Sequence, residues 1–179
     1  MKGARPTSGI VLQALFNILG PPGGRSFLDL FAGTGRVGKE ALSRGFSPVV
    51  LVEISNRYAG TIERSIASQD GEVLRMDIRR ALPFLLSGHK SFDVIFADPP
   101  YGTGWVERMA RLSGLLSGIM KSGAVMVLEH SVRERIEPGL WEGWEISTRS
   151  YGESCLSFLE ENSRKGEGTV DKSDVSRVI

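Results

Sequence analysis

SFLDLFAGTGRVGKEALSR, residues 26–44, opens as an apolar run, reaches Asp29, turns through Gly33, Gly35 and Gly38, and continues in helix-forming residues to Arg44. A strand that passes through a glycine-rich turn into a helix is the first half of a parallel β-α-β unit, and the pattern repeats on either side. Further strands are predicted at Pro48–Glu53, Glu72–Asp77, Phe92–Asp98 and Ala124–Glu129, after the first at Ser26–Phe31. Helices are predicted at Gly35–Arg44, Asn56–Ser68, Ile78–Leu86 and Val106–Met120. An N-terminal helix, Ile10–Leu19, stops at Gly20 before Pro21 and Pro22. Trp144–Arg149 and Ser154–Glu160 read as two β segments around Tyr151-Gly152, a hairpin that closes the sheet. The expected fold is therefore α/β: a doubly wound, mostly parallel, seven-stranded Rossmann-like sheet with a C-terminal antiparallel hairpin.

The 179 residues, 41% apolar, suffice for a single core, expected over residues 1–160. From Glu161 onward the chain is almost wholly polar, and residues 161–179 read as a disordered tail. Nothing resembles a membrane span or a signal peptide, so a cytoplasmic protein that works as a monomer is expected. Cys155 is the only cysteine and is read as a packing residue, which excludes an internal disulfide and a cysteine metal cluster. His89 and His130 lack acidic company at ligand spacing, so no metal site is expected. A net charge of +1 does not announce a nucleic-acid partner.

Four consecutive strands end in a carboxylate: Asp29, Glu53, Asp77 and Asp98. In an open parallel sheet these ends share one rim, where ligands bind. Gly33, Gly35 and Gly38 have the G-x-G-x-x-G spacing of a dinucleotide site, and Glu53 lies where a ribose-binding acid belongs, so a nicotinamide or flavin oxidoreductase is a competing reading. Asp29 separates the two, because a carboxylate there would repel a pyrophosphate but suits a cationic ligand without phosphate. S-adenosylmethionine, with its ammonium and sulfonium, is such a ligand. Its expected contacts are Asp29, Phe31, Ala32, Gly33 and Gly35 for the amino-acid and sugar portions, Glu53 for the ribose hydroxyls, and Asp77 with Ile54 and Ile78 for adenine. Asp98 borders the methyl group.

Asp98-Pro99-Pro100-Tyr101 follows an apolar strand. Two prolines cannot donate backbone hydrogen bonds, so they end the strand and hold its tip extended with the carbonyls free to accept. An exocyclic base amine is a poor nucleophile because its lone pair is delocalised into the ring. Accepting its hydrogens with the Asp98 carboxylate and the Pro99 carbonyl favours the pyramidal form and aligns it for attack. Tyr101 supplies a flat face on which the base stacks.

DLFAGTG (Asp29 to Gly35), Glu53 and FDVIFADPPY (Phe92 to Tyr101) resemble the Rossmann-type amino-methyltransferases, and more closely the bacterial 16S ribosomal RNA guanine-N2 methyltransferase family. The family's Arg-Pro-Thr and Ala-Leu-Phe-Asn signatures are matched by Arg5, Pro6, Thr7 and by Ala14, Leu15, Phe16, Asn17. Glu40 to Gly45 and Tyr151-Gly152 also correspond, so the resemblance covers residues 5 to 160. It implies methyl transfer to the N2 amine of a guanine in 16S ribosomal RNA or the assembling small subunit, with Asp98, Pro99, Pro100 and Tyr101 at the reacting centre. Only Met1 to Ala4 precede the first signature, and residues 8–13 are less charged than in the family, so RNA docking that is weaker or differently arranged is expected. An adenine-N6 DNA methyltransferase and a catalytically silent RNA-binding assembly factor are the alternatives.

Overall fold

The computed structural model describes residues 8–67 and 69–162. Arg5, Pro6 and Thr7 of the N-terminal signature, and 163–179 of the expected tail, lie outside the described residues. In chain order the elements are α1 (Gly9–Leu19), β1 (Phe27–Asp29), α2 (Arg36–Arg44), β2 (Val49–Val52), α3 (Asn56–Ile66), β3 (Gly71–Leu74), α4 (Ile78–Ser87), β4 (Phe92–Ala97), α5 (Trp105–Arg111), α6 (Ser113–Gly118), β5 (Met120–Ser131), β6 (Trp144–Tyr151) and β7 (Ser154–Glu161). A 3-10 turn at Pro138–Leu140 lies between β5 and β6.

The strands form one sheet in the order β3-β2-β1-β4-β5-β7-β6. β1 to β5 pair in parallel, while β7 runs antiparallel to both β5 and β6. This is the doubly wound sheet with a closing hairpin that the sequence predicts. Alternating side chains feed two apolar layers. Leu28, Val50, Ile95 and Met126 point to the layer filled by α4, α5 and α6, including Leu82, Met109 and Leu116. Phe27, Val49, Leu51, Phe96 and Val127 point to the layer filled by α1, α2 and α3, including Phe16, Ala41 and Ile62. Both faces of the central strands are covered, which accounts for their near-continuous apolar sequences.

Several boundaries differ from expectation, three of them with consequences for the fold. The helix predicted over Val106–Met120 is broken into α5 and α6, because Leu112 leaves helical geometry at φ −94°, ψ 3° and glycines at 114 and 118 weaken the second half. β5 begins at Met120, opposite Phe92, and then shifts register before Val125 reaches Val94. The extra residues form an irregularity from which Lys121 reaches back, its Nζ 2.7 Å from Asp93 Oδ2. β3 ends at Leu74, so Asp77 is the N-cap of α4 and not the last residue of the strand.

The packing expectation for Cys155 holds, since it is buried. Trp141 is only 2% exposed, with its ring edge-on to Trp144 at 5.5 Å. Among the described residues no helix is long and apolar enough to cross a membrane.

Candidate active site

β1 lies between β2 and β4, with Asp29 opposite Leu51 on one side and Phe96 on the other. Glu53 and Asp98 stand two residues beyond those partners in strands that run the same way, so all three acids share one rim. With strands about 5 Å apart and a rise of about 3.3 Å per residue, the Asp29 and Asp98 backbones lie about 8 Å apart. From β1 the chain winds outward through β2 and β3 and then returns to the opposite side of β1 as β4. The rim between β1 and β4 is therefore the topological switch, where the outward-running connections leave a crevice.

Asp29 is 1% exposed, and Phe31 N–H donates to its Oδ1 at 3.3 Å. Burial pushes its carboxyl up to about 7; backbone N–H groups of Phe31 and Gly38 offset part of this, and the nearby Glu53 charge adds to it. Glu53, 8% exposed, holds the same loop from the β2 side, accepting from Gly33 N–H and Ser55 N–H at 2.7 Å each. Two buried acids thus fix the glycine turn through its own amides. Ala32 N–H adds a bond to Val52 O at 3.0 Å. Gly35 has φ +76°, and a Cβ there would lie 2.8 Å from Ile62 Cγ1. A Cβ on Gly38 would lie 2.7 Å from Leu51 Cγ, so α2 approaches β2 as closely as it does only because that residue is glycine.

Beside Glu53, Ile54 stands 67% exposed, whereas Ile78 is 3% exposed and belongs to the core beneath the rim. Asp77 accepts from Arg79 N–H at 2.9 Å and pairs with the Arg79 guanidinium at 2.8 Å. That guanidinium holds the Asp77 carboxyl below the usual carboxylate range. The outer end of the rim is thus one apolar side chain and one already paired acid.

At the inner end, Asp98 is partly exposed, Pro99 buried and Pro100 exposed. Tyr101 donates its hydroxyl hydrogen to Glu129 Oε1 at 3.0 Å, and its oxygen lies 3.0 Å from Ser154 Oγ. Burial, and then the charges of Glu129 and Asp98, push the phenol well above its usual range, so it remains a donor. Gly102 N–H is held by Glu134 Oε1 at 3.0 Å, and Thr103 Oγ bonds Pro100 O. Trp105, just past this loop, packs edge-on to Phe31 at 5.0 Å, which joins the loop after β4 to the glycine loop. Sequence reasoning made Tyr101 part of this end of the rim. It missed Glu134 and Ser154, whose partners are 32 and 53 residues away in the chain and leave no local signal.

Chemically, the rim offers carboxylate acceptors to ligand hydroxyl, ammonium or amine hydrogens, and Asp29 and Glu53 together oppose a phosphate at the glycine turn. The family model described as Conserved hypothetical protein 95 matches residues 1–160. The ribosomal RNA small subunit methyltransferase D of Haemophilus influenzae is 30% identical over 148 residues, 78% of this chain and 75% of that one. Its Escherichia coli K12 counterpart is 27% identical over 170 residues, 94% of this chain and 85% of that one. Among solved structures, the Thermus thermophilus 16S rRNA N2 G1207 methyltransferase in complex with AdoMet and guanosine superposes with a TM-score of 0.72 at 26% identity. That match covers 89% of this chain and 44% of that one.

Proposed function

Because the chain belongs to the conserved hypothetical protein 95 family, which its match over residues 1–160 shows, we propose that it transfers a methyl group from S-adenosylmethionine to the N2 amine of a guanine in 16S ribosomal RNA. The Haemophilus influenzae and Escherichia coli relatives are small-subunit ribosomal RNA methyltransferases, and a structural neighbour holds both AdoMet and a guanosine. The observation that carries the reading is the register that puts Asp29 and Asp98 on adjacent strands at the switch point.

The donor set fits the cofactor. Glu53, fixed by two amides, has lone pairs left for ribose hydroxyls, and exposed Ile54 offers adenine an apolar wall with Asp77 beyond it. Ile78 supports that wall from the core. Asp29 acts mainly through the loop it holds, shaping Phe31, Ala32, Gly33 and Gly35 around the amino-acid portion. When bound, S-adenosylmethionine supplies an electrophilic methyl group on a sulfonium.

The protein's part in the reaction is to position the amine. The Asp98 carboxylate and the Pro99 carbonyl accept the two N–H hydrogens and turn the lone pair outward, while Pro100 keeps the tip extended. Tyr101, locked by Glu129 and Ser154, presents its ring to the base. The working unit is a cytoplasmic monomer acting on 16S ribosomal RNA or the assembling subunit. Asp98→Ala is expected to abolish methyl transfer and leave S-adenosylmethionine affinity in calorimetry within about twofold, since a transition-state contact is lost. Full activity in that variant rejects the mechanism.

A further inference from the structure

Val132-Arg133-Glu134-Arg135, which follows Ser131 at the end of β5, lies against the Asp98–Gly102 segment, the target loop of the proposed reaction, and its contacts bear on how the RNA is held, a point that rests on the methyltransferase reading above. Glu134 faces inward. Its two oxygens accept from Gly102 N–H at 3.0 Å and from Ser131 N–H at 3.2 Å. Val132 N–H donates to Glu153 O at 3.0 Å, and Ser154 meets the Tyr101 hydroxyl, so the turn, the target loop and the β6–β7 hairpin are bonded into one unit.

Arg133 and Arg135 flank that inward carboxylate; Arg133 is exposed, as is Arg135. Neither forms an ion pair among the described residues. Glu134 keeps its charge between them but turns its carboxylate inward onto two backbone amides, so the two guanidiniums outnumber it at the surface. Two exposed guanidiniums, carried on a turn that is bonded to the loop proposed to take up the base, suit the acceptor-only oxygens of a phosphodiester. Arg108, stacked over the Trp105 ring at 5.3 Å, adds a cation on the other flank of the same loop. The exposed acids Glu107 and Glu137 keep the net field small, so the contact has to be local.

We propose that Arg133 and Arg135 grip the phosphates of single-stranded RNA beside the target guanosine, and that Glu134 is a positioning residue coupling this grip to the Asp98–Tyr101 loop. The test uses the full chain, S-adenosylmethionine and unmethylated 16S ribosomal RNA transcribed in vitro. The R133A/R135A double variant is expected to raise KM for RNA about tenfold and to flatten the log KM against log salt slope by about 1.4, or 0.7 per lost single-strand contact. Its kcat and S-adenosylmethionine affinity stay at the wild-type values. Glu134→Ala lowers kcat more than it raises KM, and Glu134→Gln, which retains one acceptor oxygen, recovers part of the loss. Lys90→Ala, an exposed cation just before β4 at the opposite end of the sheet, leaves KM and slope unchanged.

A double variant with wild-type KM and slope overturns the proposal, as does an equal loss in Lys90→Ala, which would indicate a diffuse field. If the wild-type protein itself transfers no methyl group to this RNA, the functional reading fails and the grip with it. If it does transfer one and the double variant matches it, only the grip fails.

Discussion

Asp29 is buried within the core side of the rim, yet its carboxyl still titrates near neutrality, pushed up to about 7 from an ordinary value of 3.8. Between about pH 4 and pH 7 the folded protein keeps a proton there that the unfolded chain has released. The folded state binds more protons across that window, so this residue's contribution to stability falls as pH rises through it and levels off above. Asp29→Asn is expected to flatten that part of a thermal-melt pH profile; an unchanged slope contradicts the assignment. A cation bound nearby favours the ionised form, so S-adenosylmethionine should release a proton on binding near pH 7. Calorimetry in buffers of different ionisation enthalpy reads this directly, and a proton count of zero speaks against a positive ligand group close to Asp29. At Tyr101, loss of the ring should cost more than loss of the hydroxyl. Tyr101→Ala removes a stacking face worth about 1–3 kcal/mol in RNA affinity. Tyr101→Phe keeps the face and loses only the bonds to Glu129 and Ser154, so its defect should appear in kcat, and equal RNA affinity in the two variants contradicts the stacking role.

Among the elements, α2 and its glycine turn are the most constrained. Gly38→Ala forces a methyl group into Leu51 and pushes α2 away from β2, an overpacking cost of about 1–3 kcal/mol. That corresponds to a melting temperature lower by roughly 2–12 °C for a domain of this size, with S-adenosylmethionine affinity reduced alongside it. An undisturbed melt shows that the helix can yield. This element was legible in advance because a local pattern encodes it: an apolar strand, three spaced glycines and an amphipathic helix. The break between α5 and α6 was not legible, since Leu112 continues the apolar period and only the packed geometry shows where the helix stops. The early start of β5 was hidden for a similar reason. Lys121, Ser122 and Gly123 read as a loop, and pairing of Met120 with Phe92 is a tertiary fact.

At the scale of the molecule, the two ends of the sheet respond to pH in opposite ways. At the end away from the candidate site, Asp93 ties β4 to β1 through Ser26 N–H at 2.8 Å and Ser26 Oγ at 2.7 Å, and to β5 through Lys121. Desolvation alone would raise its carboxyl, but the bonds from Lys121 and Ser26 outweigh it and hold the group below its usual range. A depressed carboxylate stabilises the fold above its unfolded value and loses that contribution as pH falls through the lower folded value. With Asp29 acting in the opposite sense, the ligand-free protein should be most stable on the acid side of neutrality, with the optimum moving upward when S-adenosylmethionine is present. Melts from about pH 3.5 to 8 with and without the cofactor test this, and an optimum that ignores the cofactor contradicts it. The shared rim of Asp29, Glu53 and Asp98 was legible because strand order and chain-local motifs dictate it. What holds Tyr101 and Gly102 in place was not, because Glu129, Glu134 and Ser154 reach the loop only through β5 and the hairpin.

The central proposal is that the Asp98-Pro99-Pro100-Tyr101 tip presents a guanine amine for methylation. Nucleoside mass spectrometry reads this directly, on unmethylated 16S ribosomal RNA, or small subunits carrying it, after incubation with the protein and isotopically labelled S-adenosylmethionine. One labelled methyl group is expected, recovered as N2-methylguanosine and absent with Asp98→Ala. Label in N6-methyladenosine, or in no nucleoside at all while the cofactor binds, would contradict that role for the tip.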